Sequence, residues 1–251
     1  MKQLTHAGFF EGIGGFSLGA ERAGFETIYT CELDDFRNEW LETYLPNAIH
    51  ERDIKTSTGC YADIFTAGFP CQDISIANQK GKGLKGSRSG LFFEFIHFVR
   101  LFRPKYVILE NSPMLVYSGE LLQILREFAE CGYDAEWQLI SKRSIGYPDE
   151  RERFILVAYC REIERNENIA FFTKQSFEIG KKALNKGKFL FNQLSRMDNS
   201  KNWLDFITKS LQIDTGISKE LAEKQIASYG DAICPDVAQL IFELIKIHLQ
   251  Q

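Results

Sequence analysis

The feature that most narrows the possible folds is an alternation. Through the first 160 residues short β-like runs take turns with helix-like segments. A chain ordered this way folds as a mostly parallel sheet covered on both faces, because each parallel crossover needs a helix to bring the chain back. "LTHAGFF" reads as the first strand, "GFSLGAERAG" as a helix, "ETIYTCE" as a second strand and "DFRNEWLETYL" as a second helix. A third strand is expected to end at Asp53, and "YADIFTAGF" is a strand that stops just before Cys71. "LFFEFIHFVRLF" is an amphipathic helix, "KYVILE" a buried strand ending at Glu110, and "ELLQILREFAECG" a further helix. "DAEWQLI" and "RFILVAYC" complete the run as strands at an antiparallel edge.

Beyond Cys160 the character changes. Residues 161–225 are polar, lysine-rich and weakly periodic, so they read as an inserted module or elaborated loops rather than another βα repeat. Residues 226–251 hold "SYGDAICPDVAQLIFELIKIHL", a loop followed by a strongly amphipathic helix. Such a helix needs an apolar surface to cover, and the α/β unit of residues 1–160 offers the large one.

With 251 residues and 44% hydrophobic content the chain can bury one full core with a small appendage. No apolar run reaches the roughly 18 residues that span a bilayer, and the N-terminus lacks the order of a signal peptide, so the expectation is a cytoplasmic protein without a membrane segment. Six scattered cysteines and four dispersed histidines argue against a disulfide framework and against a structural metal. The net charge of −4 does not suggest wholesale binding to polyanions, but one groove can still be basic. No acid lies between Ile74 and Phe93, where Lys80, Lys82, Lys85 and Arg88 fall. On charge alone that segment is a solvated loop.

"FEGIGGFSLGA" places Gly12, Gly14 and Gly15 between a strand and a helix. Glycines there let backbone N–H groups approach a ligand at a helix N-terminus. Glu32 follows 20 positions after Gly12, at the end of the second strand, where α/β nucleotide sites put a carboxylate on ribose hydroxyls. Asp53 is placed to meet an adenine amino group. The spacing G-x-G-G-x-x-x-G departs from the dinucleotide fingerprint and favours a nucleoside with a small charged tail.

Ligands in open α/β sheets bind beyond the carboxyl ends of the strands, the edge to which the glycine loop, Cys71 and Glu110 all belong. A lone cysteine is usually a small buried hydrophobe. Pro70 before Cys71, and Gln72 and Asp73 after it, indicate instead a turn out of the core. Glu110 ends an apolar strand and is poorly solvated, which favours its neutral form. A thiolate with a neutral carboxylic acid can add sulfur to an electron-poor ring that is protonated as it is attacked.

These segments resemble, in order, the motifs of the cytosine-C5 DNA methyltransferases: "FEGIGGF", "GFPCQ", "SRSGLFFE", "ENS", "RER" within "PDERERFILVA", and "YGDAICP". The resemblance covers nearly the whole chain except about 160 to 225. It implies a Rossmann-like, class I S-adenosylmethionine-dependent methyltransferase sheet with helices on both faces and a small target-recognition insertion at 161–225. It implies that Cys71 attacks C6 of a flipped-out cytosine, that Glu110 holds or protonates N3, and that Arg153, with Arg151, holds the base oxygen. Cofactor contacts fall on Phe10, Gly12, Gly14, Gly15, Glu32, Leu33, Asp53, Ile54, Pro70, Asp231 and Ala232. Contacts to double-stranded DNA fall on Gln72, Ser75, Lys80, Lys82, Lys85 and Arg88, in a loop over residues 73–90 that would close on the extruded base. The family further implies a monomer, acting in some systems beside a cognate restriction endonuclease.

Three positions depart from the family pattern. Ser112 stands where valine is common, Asp149 where glutamine precedes the arginines, and Asp231 where asparagine follows glycine. Asp231 is expected to face the ammonium of S-adenosylmethionine. Three other readings compete: the same chemistry on transfer RNA, where a proline commonly replaces Phe69; a nicotinamide-dependent oxidoreductase, which leaves Cys71, Glu110 and Arg153 idle; and a catalytically silent DNA-binding homologue.

Overall fold

The computed structural model describes residues 3–70, 90–145, 150–163, 170–173, 178 and 233–249. Within them, β1 (Thr5–Phe9), β2 (Glu26–Cys31), β3 (Ile49–Glu51), β4 (Ile64–Ala67), β5 (Tyr106–Asn111), β6 (Tyr133–Ser141) and β7 (Glu152–Cys160) form one sheet in the order β3-β2-β1-β4-β5-β7-β6. The first five pair in parallel with one another, and β7 runs antiparallel between β5 and β6. The helices are α1 (Gly15–Arg22), α2 (Asp35–Tyr44), α3 (Gly90–Phe102), α4 (Glu120–Glu130) and α5 (Pro235–Leu249). The α/β class and the antiparallel edge agree with the sequence reading. The third strand ends at Glu51, two residues earlier than expected, because Asp53 turns the chain by accepting from the Lys55 amide through Oδ1 at 3.0 Å.

Both faces of the central strands are covered, and their side chains divide by parity. Val107, Leu109, Leu156 and Ala158 join one core with α3 and α4, while Tyr106, Ile108, Ile155 and Val157 join the other with α1 and α5. On the first face Phe9 of β1 meets Tyr29, Phe65, Phe95 and Phe98 at ring separations of 5.1 to 5.5 Å. Helix α3 supplies two of these rings because Phe92, Phe95, Ile96 and Val99 recur at helical spacing on its inner side. On the second face α5 lies against α1 so closely that a Cβ at Gly19 would overlap Ala238. One turn earlier, a Cβ at Gly15 would stand 2.6 Å from the carbonyl oxygen of Ile233. The amphipathic C-terminal helix thus fixes the start of α1, where the glycine loop ends.

One polar residue crosses the apolar interior. His6 on β1 is fully buried, with Nδ1 3.0 Å from Thr27 Oγ1 on β2 and Nε2 2.8 Å from Thr66 Oγ1 on β4. Burial holds its pKa down to about 3. Since this folded value lies below the ordinary 6.5, its contribution is complete above pH 6.5 and lost as pH falls toward 3.

Two outcomes are expected. In urea titrations of the ligand-free protein, the stability of wild type relative to His6→Gln should fall by about 3 kcal/mol between pH 7 and pH 4. Gly19→Leu should destabilise by about 1–3 kcal/mol through overpacking at α1 and α5, seen as a lower urea midpoint.

Candidate active site

The glycine loop follows β1 directly. Phe10 has φ 54°, a left-handed conformation that costs a non-glycine residue energy and clusters at functional sites. Gly12 at φ 62° and Gly14 at φ 86° continue the tight turn, and Gly14 is the N-cap of α1. A Cβ at Gly12 would meet nothing within 4 Å, so the outer side of the loop is open. Gly15 differs from its neighbours: its missing side chain leaves room for the Ile233 carbonyl, a packing demand.

Glu32 is 8% exposed and grips the loop from the side. Its Oε2 accepts from the Gly12 amide at 2.7 Å, and its Oε1 from the Asp34 amide at 3.0 Å. A carboxylate has about four lone-pair sites, so two remain for hydroxyl donors. Leu33, exposed, and Ile54, buried, lie after β2 and β3 at the same rim. The Leu33 carbonyl accepts from Arg52 Nη2 at 2.9 Å.

Glu11 was quoted within the glycine motif but given no role in the sequence reading. It is 5% exposed, and its Oε1 accepts from both the amide and the hydroxyl of Ser17, at 2.8 and 2.7 Å. Its Oε2 is buried without a hydrogen-bond partner. Burial pushes its pKa up to about 7, the Ser17 bonds pull it back, and the negative charge of Glu32 adds to the rise. The signal available in the sequence was an acid set between an apolar strand and a glycine run, with no charged neighbour to pair with.

The second half of the rim comes from β4, β5 and β7. Glu110 near the end of β5 lies opposite Ile155 of β7, and Arg153, two residues nearer the start of β7, reaches diagonally across the pair to set its Nε 2.7 Å from Glu110 Oε1. Their side chains are 12% and 23% exposed. The sequence reading expected Glu110 to favour its neutral form; the structure sets its carboxyl 2.7 Å from the Arg153 guanidinium, a partner that the strand alone does not reveal. Next along β5, Asn111 is 3% exposed, and its Nδ2 donates to the Phe69 carbonyl at 3.2 Å. That bond ties the segment leaving β4 to the end of β5. A Cβ at Gly68 would stand 3.4 Å from Glu110 Oε2 and 3.8 Å from the Phe10 carbonyl, so the glycine loop, the end of β4 and Glu110 meet. Beside them a cleft of about 600 Å³ is lined by Pro113, Ser141, Arg143, Glu150, Arg151, Glu152 and Arg153. Arg143 and Glu150 form an ion pair at the edge of that cleft.

Pro70 is exposed at the end of the described segment that leads to Cys71. Cys71, Gln72, Ser75, Lys80, Lys82, Lys85, Arg88, Asp149, Asp231, Ala232 and most of 161–225 lie outside the described residues. Among the described residues, no group of three or more His, Cys, Asp or Glu side chains is placed to hold a metal, and no helix is long and apolar enough to cross a membrane.

The chain is 31% identical to the type II methyltransferase M.HhaI of Haemophilus parahaemolyticus over 175 residues, 64% of this chain and 52% of that protein. It is 33% identical to the type II methyltransferase M.NgoFVII of Neisseria gonorrhoeae over 158 residues, 59% of this chain and 41% of the relative. The chain therefore spans about half the length of the curated relatives it matches. Among solved structures its fold is similar to that of a DNMT2 variant from Spodoptera frugiperda, with a TM-score of 0.64 at 16% identity, covering 98% of this chain and 99% of that one. It is also similar to the methyltransferase EhMeth of Entamoeba histolytica, with a TM-score of 0.63 at 16% identity and the same coverage of both chains. Residues 4–231 match the family model of the C-5 cytosine-specific DNA methylases, and the chain belongs to that family.

Proposed function

We propose that this protein methylates C5 of cytosine in a specific sequence of double-stranded DNA, with S-adenosylmethionine as methyl donor and Cys71 as nucleophile. The observation that carries the reading is the meeting of four strands at one rim: the Glu110–Arg153 ion pair, the Asn111–Phe69 bond that ties the segment leaving β4 to β5, and the glycine loop within reach of Gly68.

The described residues fit an adenosyl cofactor. Gly12 borders open space while Gly14, against Leu41, completes the turn, Glu32 keeps acceptor sites for ribose hydroxyls, and Leu33 offers apolar surface for an adenine, with buried Ile54 beneath the same rim. Phe10, Asp53 and Pro70 border the same rim, and Asp231 and Ala232 complete the set on the family pattern. Gly15 contributes by letting Ile233 seat the loop. S-adenosylmethionine supplies a methyl group on a positively charged sulfur, an electrophile too weak for an unactivated ring carbon.

Activation of that carbon is the work of this chain. The Cys71 thiolate adds to C6, and the displaced electron pair becomes available at C5 while charge spreads toward N3. Glu110 and Arg153 stand where that charge must be received. A base whose O2 oxygen draws the Arg153 guanidinium leaves Glu110 poorly solvated and without its counterion, so the carboxyl takes up a proton and gives it to N3. Arg151 lines the same cleft. Once C5 carries the methyl group, a base removes the C5 proton, its electron pair re-forms the C5–C6 double bond, and the Cys71 thiolate leaves as N3 returns its proton to Glu110. A thiol cannot reach C6 within stacked DNA, so the base is extruded first. Gln72, Ser75, Lys80, Lys82, Lys85 and Arg88 hold the backbone and close over the base, with the lysines and arginine on phosphates. The segment 161–225 reads the sequence, the enzyme acts as a monomer in the cytoplasm, and a cognate restriction endonuclease fits the type II relatives.

Incubating the purified chain with labelled S-adenosylmethionine and either unmethylated DNA or transfer RNA should label DNA cytosine, and Cys71→Ser should abolish the label. Label confined to transfer RNA would move the substrate to RNA; no transfer to either polymer would sink the reading. Glu110→Gln should slow single-turnover transfer by about 10²–10⁴-fold while leaving equilibrium binding of S-adenosylmethionine nearly unchanged.

A further inference from the structure

Glu11 takes no part in the chemistry above, yet its setting is unusual for a carboxyl one residue before the open glycine loop. The chain places it beneath the loop by omitting a side chain opposite: a Cβ on Gly8 of β1 would overlap Glu11 Oε2. That oxygen therefore occupies a space created for it, buried and without a hydrogen-bond partner. The other oxygen is fixed at the N-terminal turn of α1 by two bonds from Ser17. Glu11 is also joined to the loop through the backbone, its amide donating to the Cys31 carbonyl at 3.3 Å and its carbonyl accepting from the Gly14 amide at 3.2 Å. Among the described residues the groups that face it are few. Ser17 faces it from α1, Gly8 brings no side chain from β1, and the charged neighbour is Glu32, across the loop on the amide of Gly12.

We propose that Glu11 is a positioning residue for the cofactor: its carboxyl braces the glycine loop from beneath and gives a proton to solvent as a cationic adenosyl ligand binds above. The proposal rests on the reading of the loop as an S-adenosylmethionine site. The physical reason is charge balance. With the loop empty, a second buried negative charge beside Glu32 is disfavoured, and burial with Glu32 pushes the Glu11 pKa up to about 7. S-adenosylmethionine brings a sulfonium and an ammonium against one carboxylate, a net positive charge. An opposite charge nearby favours the ionised carboxyl, so the O–H bond of Glu11 breaks and the proton passes to buffer. The two Ser17 donors, already in place, then hold the anion and with it the first turn of α1.

The sign follows from linkage. A group that is protonated in the free protein and ionised in the complex makes binding tighter as pH rises through its free pKa. With that pKa at about 7, the dissociation constant should fall about tenfold between pH 6 and pH 8, and binding at pH 7 should release about half a proton.

Isothermal titration of the whole chain with S-adenosylmethionine, in phosphate and in Tris at pH 7, measures that proton directly from the difference in observed enthalpy. Wild type should release about half a proton more than Glu11→Gln, and the variant should lose the tenfold dependence on pH. Ser17→Ala keeps the carboxyl but removes a bond that lowers its pKa. It should shift the rise in affinity to higher pH, and it tests the same coupling if Glu11→Gln folds poorly. Binding with equal proton release in wild type and Glu11→Gln, or an unshifted profile in Ser17→Ala, overturns the role given to Glu11 and leaves the methyl-donor reading standing. Absence of binding by the folded wild type overturns both.

Discussion

The central strands are covered on both faces, and this two-sided burial decides where everything polar must go. Tyr106, Val107, Ile108 and Leu109 of β5 are all fully buried, as are Phe154 to Ala158 of β7. A strand with no solvent-facing side has no room along its length for a catalytic carboxyl or cation. Charged and hydrogen-bonding groups are displaced to the strand ends. The loop after β1, the segment after β4, Glu110 on β5 and Arg153 on β7 are therefore gathered at one rim by the same packing that stabilises the fold. Phe9, whose ring touches four others, marks the link: it is the last residue of β1, and the glycine loop begins immediately after it.

The rim is electrostatically divided. Around the glycine loop the side chains are acidic, with Glu11 and Glu32 both nearly buried. Around the cleft beside β5 and β7 the acid Glu110 is matched by Arg153, with Arg151 close by. The first half suits a ligand that carries net positive charge, the second a ring on which negative charge develops. The two are joined through Gly68, which lies between the Phe10 carbonyl and Glu110. The C-terminal helix contributes at a distance, because its approach to α1 through Gly19 and the Ile233 carbonyl at Gly15 sets the position of the loop.

Much of this was legible in the sequence because it depends on local pattern. The alternation of strand and helix signals located β1, α1, β2, α2 and β4 through β7, and the antiparallel edge agreed with the fold. The glycine run and Glu32 were recognisable because a tight turn and a strand-end acid leave a local signature. Other features had no such signature. "KYVILE" showed that Glu110 ends a buried strand, but its partner is Arg153, 43 positions away (153 − 110) and brought near only by the antiparallel pairing of β5 with β7. Gly15 read as one more ligand-facing glycine until the C-terminal segment was seen to need its space. Glu11 carried no role in the sequence, and only the folded chain shows that Gly8 leaves space for its carboxyl.

The sequence by itself determined the class of fold, the order of its elements and the residue types that gather at the carboxyl end of the sheet, because periodicity, turn chemistry and strand termination act between residues close in the chain. Tertiary structure alone decided which charges meet: Glu110 with Arg153, Glu32 with the amide of Gly12, and Glu11 with Ser17 in the space left by Gly8. Ionisation depends on burial and on neighbours a few ångströms away, and strand pairing and helix docking bring those neighbours together across distances that no local pattern records.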